Sequence, residues 1–248
     1  MEIPVASAWG FALILFRTTG LLMSAPILSA KTVPARVRVG LAVFVAWAAW
    51  CGAGGPAASA PENVGALALA LAAESALGIL AGLAARFILM AALAAGHLAG
   101  QTMGLGLGNI LDPASGAESN ALPELVYLTA QAGAVALGIH REAIGWLARS
   151  AIAFPPGASL GLRELAMKVV WETTGSMALA ARLSFPILGA VLVGQVVMAG
   201  MSRISPQLNL GTLGFSVAIL CGGGAFYLVA PAMAELAARA AFSAMGNR

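Results

Sequence analysis

Six long apolar stretches alternate with shorter polar ones along the chain: roughly Ile3–Leu28, Val37–Cys51, Val64–Ala95, Leu122–Ile139, Val169–Met201 and Thr212–Ala234. A helix that crosses a bilayer needs about 20 apolar residues at 1.5 Å each, so the pattern predicts several comfortable spans. Val37–Cys51 is short, whereas Val64–Ala95 and Val169–Met201 are long enough for one tilted helix or two shorter ones. Ser29–Arg36, Gly52–Asn63, the glycine-rich Gly104–Ala121, His140–Arg163 and Ser202–Gly211 read as loops. Pro186 and Pro231 fall within apolar runs, which predicts kinked or broken helices there.

The apolar stretches are not uniformly apolar. Arg17, Glu74, Arg86, Glu172 and Arg182 all lie well inside them, and a charge at the bilayer centre costs at least about 2.5–3.5 kcal/mol on insertion scales. Lys168 with Glu172, and Glu235 with Arg239, stand four apart on one helix face, so each pair can neutralise itself in part. Snorkelling towards a helix end is one reading for Arg86 and Arg182. Arg17 and Glu74 call for a partner, either each other or another chain, or for a water-lined surface. Glycines fall in rows as well. Gly96, Gly100, Gly104 and Gly108 repeat every fourth position, and Gly78 with Gly82 makes a shorter row. On a helix such rows bare the backbone along one stripe and let a second helix approach.

Composition turns this pattern into a class. Of 248 residues, 60% are hydrophobic and 9% charged, against about 25% charged in soluble domains. The chain is therefore expected to be an all-α membrane protein. Its first apolar stretch, preceded by acidic Glu2 and interrupted by Arg17, does not read as a cleavable signal peptide. The net charge of +3 is spread over scattered basic residues with no aromatic-interleaved cluster, so nucleic acid is not an expected partner. Six alternating spans would put Lys31, Arg36 and Arg38 on one side and Arg141, Arg149 and Arg163 on the other. Loops of a simple serpentine protein favour one side, so either the spans number differently or the chain is not a plain serpentine in lipid.

Enzyme chemistry finds no foothold. His97 and His140 lie in different segments without acidic or histidine neighbours at ligand spacing, and no GxSxG or Walker A run occurs. Gly104–Gly108 lacks the GxGxxG arrangement of a dinucleotide loop. No catalytic, cofactor or metal site is expected. Interrupted helices and internal charges also suit a small-molecule secondary transporter, the competing class, although no internal repeat supports it.

Three segments carry more specific content. The first is Ala25-Pro26-Ile27-Leu28-Ser29 followed by Val33-Pro34-Ala35-Arg36-Val37-Arg38. The second is Gly100-Gln101-Thr102-Met103-Gly104, then Leu111-Asp112-Pro113-Ala114-Ser115 and Leu122-Pro123-Glu124. The third is Arg203-Ile204-Ser205-Pro206-Gln207-Leu208-Asn209 followed by Leu213-Gly214-Phe215. In that order they resemble the FliR/SctT family of type III secretion export-gate proteins, the flagellar branch more than the injectisome branch. Glu74 with Gly78 and Gly82, Ser150 before Pro155-Pro156-Gly157, and Phe185-Pro186 agree more weakly.

The resemblance implies a subunit of the flagellar protein export gate, through which unfolded flagellar subunits cross the bacterial inner membrane. Its kinked helices and helical hairpins would pack with FliP-type and FliQ-type membrane proteins into a cone at the flagellar basal body, much of it at periplasmic level. An FlhB-type protein, membrane lipid and unfolded export substrates complete the implied partners. About 1–200 would be a FliP-like part and about 201–248 would contribute to a FliQ-like hairpin. The loop holding Gly106, Gly108, Asn109, Asp112, Pro113, Ser115 and Gly116 would be a plug that obstructs the closed channel. Its composition resists regular structure. Pro34, Arg36 and Arg38, and likewise Arg203, Pro206, Gln207 and Asn209, would make turns that dock partners. Arg17, Glu74, Arg86, Glu172 and Arg182 would pair across interfaces or face a wet lumen.

Overall fold

The computed structural model describes residues 5–26, 34–59, 63–105, 121–157, 162–204 and 210–246. Among these residues all regular structure is helical: α1 Val5–Ser24, α2 Ala35–Gly52, α3 Val64–Thr102, α4 Leu122–Ala136, α5 Ile139–Ala153, α6 Leu162–Ile204 and α7 Leu210–Gly246. Five of them are long and apolar enough to cross a membrane, and α4 with α5 makes a sixth span if counted together. The chain is an all-α membrane protein. α3, α6 and α7 hold 39, 43 and 37 residues, about 55–64 Å at 1.5 Å per residue. That is about twice the 30 Å hydrocarbon core of a bilayer, so each has turns to spare beyond any single crossing.

Several expectations are corrected. The fourth apolar stretch is helical but ends three residues early: Gly138, at φ +83, closes α4 and its carbonyl accepts the first α5 amides, from Arg141 at 2.9 Å. The segment after it, expected to be loop from His140 to Arg163, is helical as far as Ala153. Ile139, Ala143, Leu147 and Ala151 recur every four residues and are buried, while Arg149 reaches Glu142 on the outer side. Charges on that outer face hide the apolar stripe from a hydropathy reading. Pro186 and Pro231 break nothing, since α6 and α7 run unbroken through them. Each proline removes one backbone donor, and the remaining bonds hold the helix while the freed carbonyl needs another partner. Of the four-residue glycine row, Gly96 and Gly100 lie on α3, which stops at Thr102; Gly104 lies beyond it, as the loop reading expects, and Gly108 is outside the described residues.

Two compact units divide the chain. The first is Met1–Ile88, Val135–Thr174 and Ala240–Arg248; the second is Leu89–Ala134 and Gly175–Arg239. In the first, α2 packs on α1 and on α5. Phe11 of α1 stands edge-on to Trp47 and Trp50 of α2, with ring centroids 5.9 and 6.2 Å apart, a geometry that aromatic quadrupoles favour. Trp50 Nε1 donates to the Pro56 carbonyl at 3.1 Å, so the half-buried ring keeps its polar edge satisfied. α1 and α3 meet backbone to backbone through glycine. A methyl group on Gly78 would stand 1.9 Å from the Arg17 carbonyl oxygen, and one on Gly20 would stand 2.3 Å from that of Ser75.

The second unit packs the latter part of α3 with α4, α6 and α7 by the same device. A methyl on Gly96 would stand 2.5 Å from Pro123 Cα, and one on Gly222 would meet Met103 Cε at 2.3 Å and Val191 Cγ2 at 2.9 Å. Small residues at such crossings let helices gain dispersion contact where lipid supplies no hydrophobic drive.

Candidate functional site

Arg17 sits on the buried face of α1, one turn from Leu13 and Leu21, and its side chain is fully enclosed, at 0% exposed. Burial of a guanidinium demands acceptors for its donors. Nε donates to Glu74 Oε2 at 2.7 Å. Nη1 donates to the Ser150 carbonyl at 2.9 Å and to Ser150 Oγ at 3.2 Å, and Nη2 to the Phe154 carbonyl at 3.0 Å. Ser150 Oγ in turn donates to the Leu147 carbonyl at 2.8 Å, which leaves its lone pair facing Arg17. The guanidinium therefore caps the carbonyl end of α5, where the helix dipole and the unsatisfied carbonyls favour a cation.

Glu74, 2% exposed on α3, uses its other oxygen: Oε1 accepts the Gly157 N–H at 2.9 Å. Pro155 and Pro156 have no amide hydrogen, so Gly157 is the first residue after Phe154 that can donate. Its φ of +87 is a backbone state that suits glycine. Gly78 and Gly82 follow Glu74 at four-residue steps, and the face they bare brings α1 close enough for Arg17 to reach across. A methyl on Gly82 would stand 2.0 Å from Ser24 Oγ. The result is a satisfied buried ion pair that joins α1, α3, the end of α5 and the Pro-Pro-Gly turn. Its chemistry is positional: every charged atom described is already engaged with protein.

The alternatives for Arg17 and Glu74 thus resolve to each other. Their additional partners were not legible as partners: Ser150 and Pro155-Pro156-Gly157 stood out only through family resemblance. The readable signal was the need of a lone intramembrane arginine for several acceptors, which a helix C-terminus supplies. Arg86 and Glu172 are half-buried and Arg182 is exposed. Among the described residues the ion pairs are Arg17–Glu74, Glu142–Arg149 and the expected Glu235–Arg239, so none reaches those three. The Lys168 side chain, the expected neighbour of Glu172, lies outside the described side chains.

Pro34 and Arg36 are exposed at the start of α2, Arg38 is half-buried, and the Pro34 carbonyl accepts the Arg38 N–H at 3.1 Å. Arg203 is exposed near the end of α6; Pro206, Gln207 and Asn209 lie outside the described residues. So do Gly106, Gly108, Asn109, Asp112, Pro113, Ser115 and Gly116, but the two roots of their loop are described. At one root α3 ends in a Schellman cap: Gly104, at φ +76, donates to the Gln101 carbonyl at 3.0 Å, and Leu105 to that of Gly100 at 2.9 Å. Met103, beside this cap, is buried and packs on Gly222. At the other root Pro123 is buried against Gly96. Both roots are pinned into the second unit.

A model of the bacterial export proteins, family 1, matches residues 8–244. The chain belongs to this family. It is similar to the flagellar biosynthetic protein FliR of Escherichia coli (strain K12), 28% identical over 214 residues that cover 84% of this chain and 79% of that protein. It is also similar to FliR of Bacillus subtilis (strain 168), at 24% over 216 residues covering 84% and 81%. FliR of Caulobacter vibrioides is 20% identical over 211 residues, covering 85% and 84%. The family match takes in the Arg17–Glu74 junction, both loop roots and Arg182.

Proposed function

We infer that this chain is a membrane subunit of the flagellar type III protein export gate. The family match over residues 8–244, with three FliR proteins among its relatives, carries the inference. Helices with spare length and apolar faces left uncovered support a subunit that completes itself by assembly. A small-molecule transporter is not favoured, since the relatives bear a flagellar name.

In finer terms, the chain sits in the bacterial inner membrane at the flagellar basal body and joins FliP-type, FliQ-type and FlhB-type proteins around a path for unfolded subunits. Residues 1–200 act as the FliP-like part and 201–248 contribute to the FliQ-like hairpin. The loop of residues 106–120 obstructs the closed path, a role supported by the pinned roots at Gly104 and Pro123. The turns at Pro34–Arg38 and Arg203–Asn209 dock neighbours. The chain works by packing and gating, with no reaction of its own.

Deletion of the chain from its native host, followed by assays of motility and of flagellar subunit secretion, tests this reading. Secretion should vanish and return with the restored gene, and the tagged chain should bring down FliP-type and FliQ-type proteins. Normal secretion without the chain would sink the export-gate assignment.

A further inference from the structure

The exposed side of α6 poses a problem that the chain does not solve by itself. At 100° per residue Gly175, Arg182, Pro186, Gly189, Val193 and Gly200 fall within about 60° of one another on the helix, and all six are exposed. Leu183, Ser184, Ile187 and Val191 mark the other side, which is buried. Arg182 stands about 20 Å in from Val169, the nearer end of the apolar span, at 1.5 Å per residue. No ion pair reaches it among the described residues. Pro186, one turn later, has no N–H to give the Arg182 carbonyl, so a cation and a backbone acceptor lacking its usual donor occur at one level. Water satisfies such groups in a soluble protein; hydrocarbon does not.

The glycines point the same way. A methyl on Gly175, Gly189 or Gly200 would meet nothing within 4 Å among the described residues, so no contact among those residues requires them. Glycine weakens a helix interior relative to alanine, and lipid offers no return for that loss. A second helix does, because bare backbone allows close approach. Gly175, Arg182 and Gly189 are seven apart, the spacing at which a helical neighbour stays in register.

We propose that this face of α6 takes a transmembrane helix of a neighbouring export-gate subunit, one that carries an aspartate or glutamate at the level of Arg182. That the neighbour is a gate subunit rests on the functional reading above. Charge complementarity selects the occupant: lipid tails offer Arg182 nothing, whereas a carboxylate accepts two parallel bonds from a guanidinium.

The test uses the full chain in cells that hold the rest of the flagellar machinery. A photoreactive residue placed at Gly189, and separately at Val193, should form an adduct that maps to a helix of another gate subunit within a turn or two of an Asp or Glu. Arg182→Glu should lower recovery of the complex about tenfold, the equivalent of about 1.4 kcal/mol, and Arg182→Lys much less. Exchange of the mapped carboxylate for lysine should restore recovery with Arg182→Glu. Adducts confined to lipid or to a second copy of this chain overturn the proposal, as does undiminished recovery with Arg182→Leu. A strain that secretes normally without the chain removes the gate reading by itself. An acidic helix mapped in a protein outside the gate would then keep the face and discard its assignment.

Discussion

α3 and α7 are nearly equal in length and in hydropathy, yet over an apolar stretch of 18 residues α3 buries 56% within the chain and α7 buries 11%. The difference comes from a few residues that hydropathy discounts. α3 carries Glu74, Gly78 and Gly82 on one face, a carboxylate that fixes a partner and two glycines that admit it. α7 has three consecutive glycines, of which Gly222 touches Met103 and Val191 while Gly223 and Gly224 face open space. Its Leu220, Tyr227 and Leu228 are 74–80% exposed. Apolar character assigns a segment to the membrane; polar and small residues decide whether it is satisfied inside its own chain.

The largest expected effect breaks the satisfied side of that contrast. Glu74→Ala leaves Arg17 buried without its carboxylate, a loss of about 3–5 kcal/mol for a broken buried pair. Glu74→Gln retains a hydrogen-bonding side chain and should cost less. Accumulation of the intact chain in membranes, with thermal unfolding in detergent, measures both, and equal wild-type behaviour would put α3 in the same state as α7. Replacement of both partners by Met and Leu should recover much of the loss, because an apolar pair of similar volume carries no desolvation penalty.

A smaller effect comes from the glycines. Gly78→Ala pushes a methyl onto the Arg17 carbonyl and should destabilise by about 1–3 kcal/mol, as overpacking does. Gly223→Ala, in open space on α7, should be neutral or gain up to about 1 kcal/mol in helix propensity. Opposite signs in unfolding midpoints sharpen the comparison, and equal shifts would erase it.

Removal of residues 110–117 should change the chain's stability very little, since loop length enters closure entropy only logarithmically, about 0.6 kcal/mol per doubling. The roots at Gly104 and Pro123 remain in place. The expected phenotype is instead permeability: cells that assemble the complex but leak small ions, read by dye uptake or ion-sensitive growth. Unchanged permeability with normal assembly argues that the loop does not close the path. The smallest effect belongs to Leu220→Ala on α7, expected within about 0.5 kcal/mol for the lone chain, as for surface positions generally. A marked loss of unfolding temperature there would mean that α7 is covered after all.

Much of this fold was legible because apolar runs at membrane length leave few options for the backbone, and each of the six runs contains helix. The charges within them were legible as problems. Their solution was not, because Arg17 and Glu74 stand 57 residues apart and the carbonyls that complete the site belong to backbone at Ser150 and Phe154. No side-chain pattern announces a backbone acceptor. α5 was missed because His140, Arg141 and Glu142 lower the hydropathy of a segment whose other face is Ile139, Ala143 and Leu147. Neither proline breaks its helix, since the remaining bonds of a long helix carry it through the one lost donor.

The Arg17 junction also imposes a schedule on biosynthesis. Its bonds join residues 57, 83, 133 and 137 positions apart, all closed by segments made later. Translation at about 5–20 residues per second separates the emergence of Glu74 from that of Gly157 by about 4–17 s. Throughout that interval the nascent chain holds an arginine that has a carboxylate but no α5 carbonyls, and a carboxylate with one free oxygen. The pair between α1 and α3 therefore stays incompletely neutralised until the middle of the chain arrives to lock it.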